Sequence, residues 1–213
     1  MGDEIAVDLH VHTSRYSPCA EYLDPTELLA AAGEQGLAGV VVTEHDVLWT
    51  AEETEALQGR HPTVRLYRGI ECTVAGAHLV IIGVDDAARL YRGMALADAA
   101  RLAHEAGAAV ILAHPFRDSD PRGLPLSLVD AVEVASTSFT AHEAVKAHRL
   151  ARALRKPKVA GSDAHALSRV GWAWTAFPFL PRDERELAAA IKSGVGKVGR
   201  RGRFPRPVAV REE

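Results

Sequence analysis

Val7-Asp8-Leu9-His10-Val11-His12-Thr13 reads as a short apolar strand that ends on two alternating histidines. Residues two apart in a strand face the same side, so His10 and His12 present two imidazoles to one point. Neutral imidazole is the commonest protein ligand for a metal ion, and two ring nitrogens aimed at one point suit that role. A single H-x-H also suits a solvated strand end. The pattern carries more weight here because it recurs in kind along the chain.

Working outward, further apolar runs end in the same way. Leu37 to Thr43 empties into Glu44-His45-Asp46, and Val64 to Ile70 ends on Glu71. His78 to Val84 reads as a fourth strand, Val110 to Ala113 runs into His114-Pro115, and Leu128 to Val134 ends near Glu133. A seventh run, Lys158 to Ala160, delivers Gly161-Ser162-Asp163-Ala164-His165. Helical patterns lie between: Asp24-Pro25 opens one that Gly36 stops, and others cover Thr50–Leu57, Asp86–Ala106, Ala141–Leu154 and Asp183–Ile191. Strands that are continuously apolar and alternate with helices predict a parallel sheet covered by helices, either an open doubly wound sheet or a closed barrel.

His10, His12, His45, Glu71, His114, Asp163 and His165 therefore all stand at or just past a strand's C-terminal end. In a parallel barrel those ends converge on one face, where active sites are built. Nitrogen and oxygen ligands without organised thiolate suit zinc, manganese or iron. Seven candidates exceed one tetrahedral ion, so two or three divalent ions ~4 Å apart, bridged by Glu71, are expected. Such a cluster lowers the pKa of a bound water to about 7, which makes that water the nucleophile, and neutralises phosphoryl charge. Hydrolysis of a phosphoester is the expected chemistry, with Asp163 or a histidine handling protons.

Composition narrows the setting. With 213 residues, 47% of them hydrophobic, and a formal net charge of −3, the chain can bury one full domain and has no bulk affinity for nucleic acid or membrane. Cys19 and Cys72 form no metal or disulfide spacing, the first residues are acidic rather than signal-like, and no run reaches a membrane span. A cytoplasmic protein is expected, with residues 1–195 as the domain and 196–213 as a basic Gly/Arg/Pro-rich tail. Neither G-x-G-x-x-G nor a P-loop is present.

The motifs D-L-H-V-H-T (8–13), T-E-H-D (43–46), G-I-E (69–71), H-L-V-I-I-G (78–83), A-H-P (113–115) and G-S-D-A-H (161–165) resemble, in order, those of the polymerase and histidinol phosphatase (PHP) family. The resemblance implies an α/β fold, a distorted (β/α)7 TIM-like barrel with a two- or three-metal site. It implies His10, His12, Glu71 and Asp163 around a first ion, His45 and His165 around a second, and Glu71 and His114 at a third. His142 is the nearest candidate for the further third-ion ligand that such members carry downstream of A-H-P. Glu44 would orient a ligand from behind. His78, Arg15 and Arg117 are candidate substrate or supporting groups, the arginines as forks onto phosphate. The expected substrate is a small phosphomonoester, a nucleotide or a short nucleic acid. The alternatives are a non-catalytic metal-binding PHP module and an amidohydrolase. Basic residues between Lys192 and Arg206 read as a solvated terminus, with a phosphate-holding role as the other reading.

Overall fold

The structure is a computed structural model that describes residues 4–202. Nine strands form one sheet in the order β7-β6-β5-β4-β3-β2-β1-β8-β9. The strands are β1 (Ile5–Val11), β2 (Gly39–His45), β3 (Arg65–Val74), β4 (Ala77–Ile82), β5 (Ala109–Ala113), β6 (Ala131–Ala135), β7 (Lys158–Ala160), β8 (Ala173–Phe177) and β9 (Lys197–Arg200). β7 also packs against β8, β9 and β1, so the sheet curls into a nearly closed barrel. Five helices cover it: α1 (Pro25–Glu34), α2 (Ala51–Gln58), α3 (Leu96–Glu105), α4 (Ala141–Leu154) and α5 (Glu184–Ser193).

β1, β2 and β3 pair in parallel, as do β5, β6 and β7. β4 runs antiparallel to both of its neighbours, which departs from the all-parallel expectation. Only Ala75 and Gly76 separate it from β3, far too few residues for a parallel crossover, and Gly76 takes φ +84° in the turn. A strand that starts at this turn has its N-terminus on the rim where the parallel strands end. β8 pairs antiparallel with β1, and β9, reached through α5, pairs antiparallel with β8. Lys197–Arg200, read from sequence as part of the tail, are thus strand residues; Arg203 and Arg206 lie outside the described residues. Within the expected helix 86–106 only α3 forms.

The alternation within strands separates core from site. Tyr67, Gly69 and Glu71 share one face of β3, and Ile82, Val80 and His78 share the facing side of β4. At the lower level Val7, Leu9, Val41, Tyr67, Val80 and Ile111 form an apolar cluster on which α5 packs. Above it the same faces carry His and Glu. The other sheet face packs against α3 and α4 around Ile70, Leu79 and Val132, and against α1 around Val40, Leu28 and Leu29. Helix starts follow their caps: the Asp24 carboxylate accepts from Thr26 N–H, and Thr50 and Thr140 each make a capping box with Glu53 and Glu143.

Candidate metal centre

Two features hold the ends of β1 and β7 together. The buried Asp8 carboxylate accepts from Ser162 N–H at 2.7 Å, Gly171 N–H at 2.9 Å and His10 N–H at 3.3 Å. Burial raises its pKa to about 6 against the pull of those bonds. Gly161 lies so close to β1 that a Cβ there would stand 2.5 Å from His10 Cβ. The chain then turns through Asp163, whose φ of +52° is left-handed and held by Asp163 N–H donating to His10 O at 2.7 Å.

Seven sequence-predicted ligands meet at this rim. His10 Nε2 and His12 Nε2 are 3.0 Å apart. Glu71 Oε2 lies 2.7 Å from His45 Nδ1, 3.3 Å from His12 Nε2 and 3.7 Å from His10 Nε2, while Glu71 Oε1 lies 2.7 Å from His114 Nε2. Asp163 Oδ1 lies 3.2 Å from His12 Nε2, 3.5 Å from His10 Nε2 and 3.7 Å from His165 Nδ1. Four groups have ligand atoms within 4.8 Å of one another: His12, His45 and His165; His10, His114 and Asp163; His10, His12 and Glu71; and Glu71, His78 and His114.

His78 thus joins the centre through β4. Its Nδ1 stands 2.9 Å from Glu71 Oε1, and it falls in a ligand-like group with Glu71 and His114. His142 does not: it is exposed in the first turn of α4 and belongs to none of these groups among the described residues. Beside Glu71 and His114, His78 occupies the place expected of His142, because the β3–β4 turn returns the chain to the rim.

The supporting groups fix ring tautomers. Glu133 Oε1 is 3.2 Å from His10 Nδ1, and a carboxylate can only accept, so Nδ1 carries the proton and Nε2 faces the cluster. Glu133 Oε2 accepts from His114 N–H at 2.7 Å. Sequence reasoning left Glu133 out of the site, although its position at the end of β6 is the signal that marked the others. Glu44 acts from behind, as expected: it accepts from Thr13 and Ser17 hydroxyls and from Trp49 Nε1 at 3.1 Å, and Ser17 Oγ stands 3.3 Å from His12 Nδ1. His165 Nδ1 donates to Asp163 O at 3.0 Å.

The two arginines part company. Arg117 Nη1 is 3.1 Å from Asp163 Oδ2, which places its guanidinium at the centre's edge. Burial opposes its charge, but Asp163 and Asp118 raise its pKa further. Arg15 instead donates to Glu53 at 2.8 Å and lies over the Trp49 ring, so in this structure it is turned away from the cluster. Cys19 is exposed and in none of the ligand groups; Cys72 is buried, which pushes its thiol up to about 12.

The donor set fits divalent cations on an observation internal to the site. Glu71 Oε2 and Asp163 Oδ1 are buried and accept no hydrogen bond, although histidine nitrogens surround both. Burial alone would raise both carboxyls, but His10 and the neighbouring histidines hold both well below the usual range. Burial lowers His12 to about 4, so its imidazole is neutral and has a lone pair to give.

The PHP-associated family model matches residues 142–195. No curated protein matches by sequence. Three solved structures share the fold. A two-domain protein from Bacteroides vulgatus containing a predicted PHP-like metal-dependent phosphoesterase is 18% identical, with a TM-score of 0.72 over 92% of this chain and 65% of that one. An amidohydrolase from Chromobacterium violaceum, with bound sulfate and no metal, is 19% identical, with a TM-score of 0.64 over 91% and 97%. The lesion-specific endonuclease Q of Pyrococcus furiosus is 19% identical, with a TM-score of 0.63 over 92% and 58%. With its strand-end motifs in order, a PHP-associated match across 142–195 and this barrel, the chain resembles the PHP family and has the PHP fold.

Proposed function

We propose that the protein is a metal-dependent phosphoesterase that hydrolyses a small phosphomonoester or a nucleotide or oligonucleotide phosphate. The observation that carries this reading is the pair of buried, unpartnered oxygens, Glu71 Oε2 and Asp163 Oδ1, ringed by histidine nitrogens. Unpaired buried carboxylate oxygens are costly unless a cation completes them. A phosphoesterase and an endonuclease among proteins of the same fold support the reading.

His10, His12, Glu71 and Asp163 would hold one ion, His45 and His165 a second, and Glu71, His114 and His78 a third. Bound there, zinc, manganese or iron would activate water and neutralise phosphoryl charge. The chain's own groups do the rest. Glu133 and Ser17 fix the His10 and His12 rings, so that Nε2 of each faces inward. Arg117 keeps N–H donors beyond the two spent on Asp163 and Asp118, and its planar fork suits a phosphoryl oxygen. Asp163 Oδ2, which Arg117 Nη1 meets at 3.1 Å, is the oxygen left over from the ion and would be the acceptor for a proton from the attacking water.

An amidohydrolase shares this barrel. Enzymes of that kind that carry a carboxylated lysine need a Lys at the bridging position, where this chain has Glu71, and phosphoester hydrolysis is favoured accordingly. A non-catalytic module would be expected to have lost ligands, whereas His10, His12, His45, Glu71, His114, Asp163 and His165 all face one space. The test is turnover of an aryl phosphate by protein loaded with manganese, iron or zinc. Chelator-sensitive hydrolysis is expected; silence towards every phosphoester with the cluster loaded would remove the proposal.

A further inference from the structure

The barrel wall from α4 to β7 carries an unusual charge distribution. From Ala144 to Ser162 the chain has no acidic residue and holds Lys146, Arg149, Arg152, Arg155, Lys156 and Lys158, in a protein whose formal net charge is −3. Arg149 and Arg152 lie three residues apart on α4, Arg155 is its left-handed C-cap, and Lys158 opens β7. All four are exposed, and none has a carboxylate partner among the described residues.

Burial first, then the charges of Lys158 and Arg200, lower the pKa of His148 on the same helix, so the positive field extends from α4 onto β7 and β9. The helix dipole favours cations in the last turn, which accounts for Arg152 and Arg155. It does not account for Arg149 in mid-helix, Lys158 beyond the helix or Arg200 on another strand. Like charges three apart weaken a helix, so the sequence retains this row against a local cost.

α4 starts at the metal rim and runs away from it, so the row lies towards the far end of the barrel, where Lys158 opens β7. Lys146, one turn before Arg149, lies 4.5 Å from the centre of the Phe116 ring, in the loop that follows His114. Just before α4, Thr137 N–H donates to Ser162 O at 2.8 Å.

We propose that the Arg149–Arg152–Arg155–Lys158 row binds the phosphate backbone of a nucleic-acid strand, independently of the metal cluster. Guanidinium forks on a rigid helix suit successive phosphates, and a backbone reader needs no base contacts. An acidic protein partner fits less well, because the centre of a protein interface needs large apolar anchors. Val145 is the one large hydrophobic residue exposed on α4 among the described residues.

The test is fluorescence anisotropy of a labelled single-stranded oligodeoxynucleotide with the full chain in EDTA, over a range of salt concentrations. Hydrolysis is off under these conditions, so failure of the phosphoesterase reading and failure of this one are separate results. Binding that weakens steeply with salt is expected. In R149Q/R152Q/K158Q it should be about tenfold weaker at low salt, with a log–log salt slope shallower by about 2, since each single-strand phosphate contact contributes ~0.7. R149K/R152K, which keeps the charge, should retain the slope, and matched circular dichroism melts would exclude unfolding. Binding without salt dependence, or an unchanged slope in the glutamine variant, would overturn the proposal. So would tighter binding of polyglutamate than of the oligonucleotide, which would point to an acidic protein.

Discussion

Glu133 shows how much of the centre lies behind the ligands themselves. It touches no open part of the site, yet one oxygen fixes the His10 ring and the other accepts from the His114 backbone. Such outer partners set ligand orientation and basicity. Glu133→Gln, which keeps the shape and one acceptor but not the charge, should lower metal affinity about 10–100-fold with the fold intact. Competition against a graded chelator measures it, and wild-type affinity would show that His10 needs no such partner. The ligand residues were legible because each followed an apolar strand run. Glu133 follows one too, but it lies in none of the motifs that carry the resemblance, whereas Glu71, equally a lone carboxylate, closes the G-I-E motif. His142 attracted attention by its nearness in sequence to the β6 end, whereas the start of α4 turns it outward.

At the scale of elements, the strands and their C-terminal ends could be read from apolar runs, and α4 has the bounds that its periodicity predicts. Strand direction could not be read this way, since alternation is the same in both directions. The informative signal was the length of the β3–β4 connection, two residues, which permits only a hairpin. That direction is what brings His78 to Glu71. β8 was missed, and β9 was read as part of the Gly/Arg/Pro-rich tail 196–213. Close approach between elements yields a test: in Gly161→Ala the new Cβ would meet His10 Cβ and N, both at 2.5 Å. A loss of about 1–3 kcal/mol in urea unfolding is expected for such overpacking. Wild-type stability would mean that β1 and β7 can separate freely.

The loop after β1 is tied to α2 through Glu53. Burial alone would raise its carboxyl, but Tyr16, the Thr50 backbone and Arg15 pull its pKa down to about 2. A carboxyl depressed in the fold contributes stability above its unfolded pKa, and that contribution is lost as pH falls through the folded value. The Glu53 share should therefore be complete above about pH 4.5 and disappear towards pH 2. Glu53→Gln should flatten the stability curve through that interval. Curves of equal steepness for the two proteins would show that the latch carries no weight.

For the whole molecule, the barrel places an apolar cluster under a polar one and lets neither reach solvent freely. Seven ligand candidates from the ends of five strands meet because the sheet curls, and β4, which runs against its neighbours, adds His78. The resemblance to the PHP family reached that picture through its motifs; composition alone reached no further than an α/β domain. The proposed function requires this rim to be a multi-metal centre built on Glu71. The most direct test is metal content per chain, measured by mass spectrometry after loading with manganese, iron or zinc and removal of free ion. Two or three ions in the wild-type chain, and a loss of at least one in a folded Glu71→Gln variant, are expected. A wild-type chain that holds none, or a variant that holds as many as the wild type, would contradict the account.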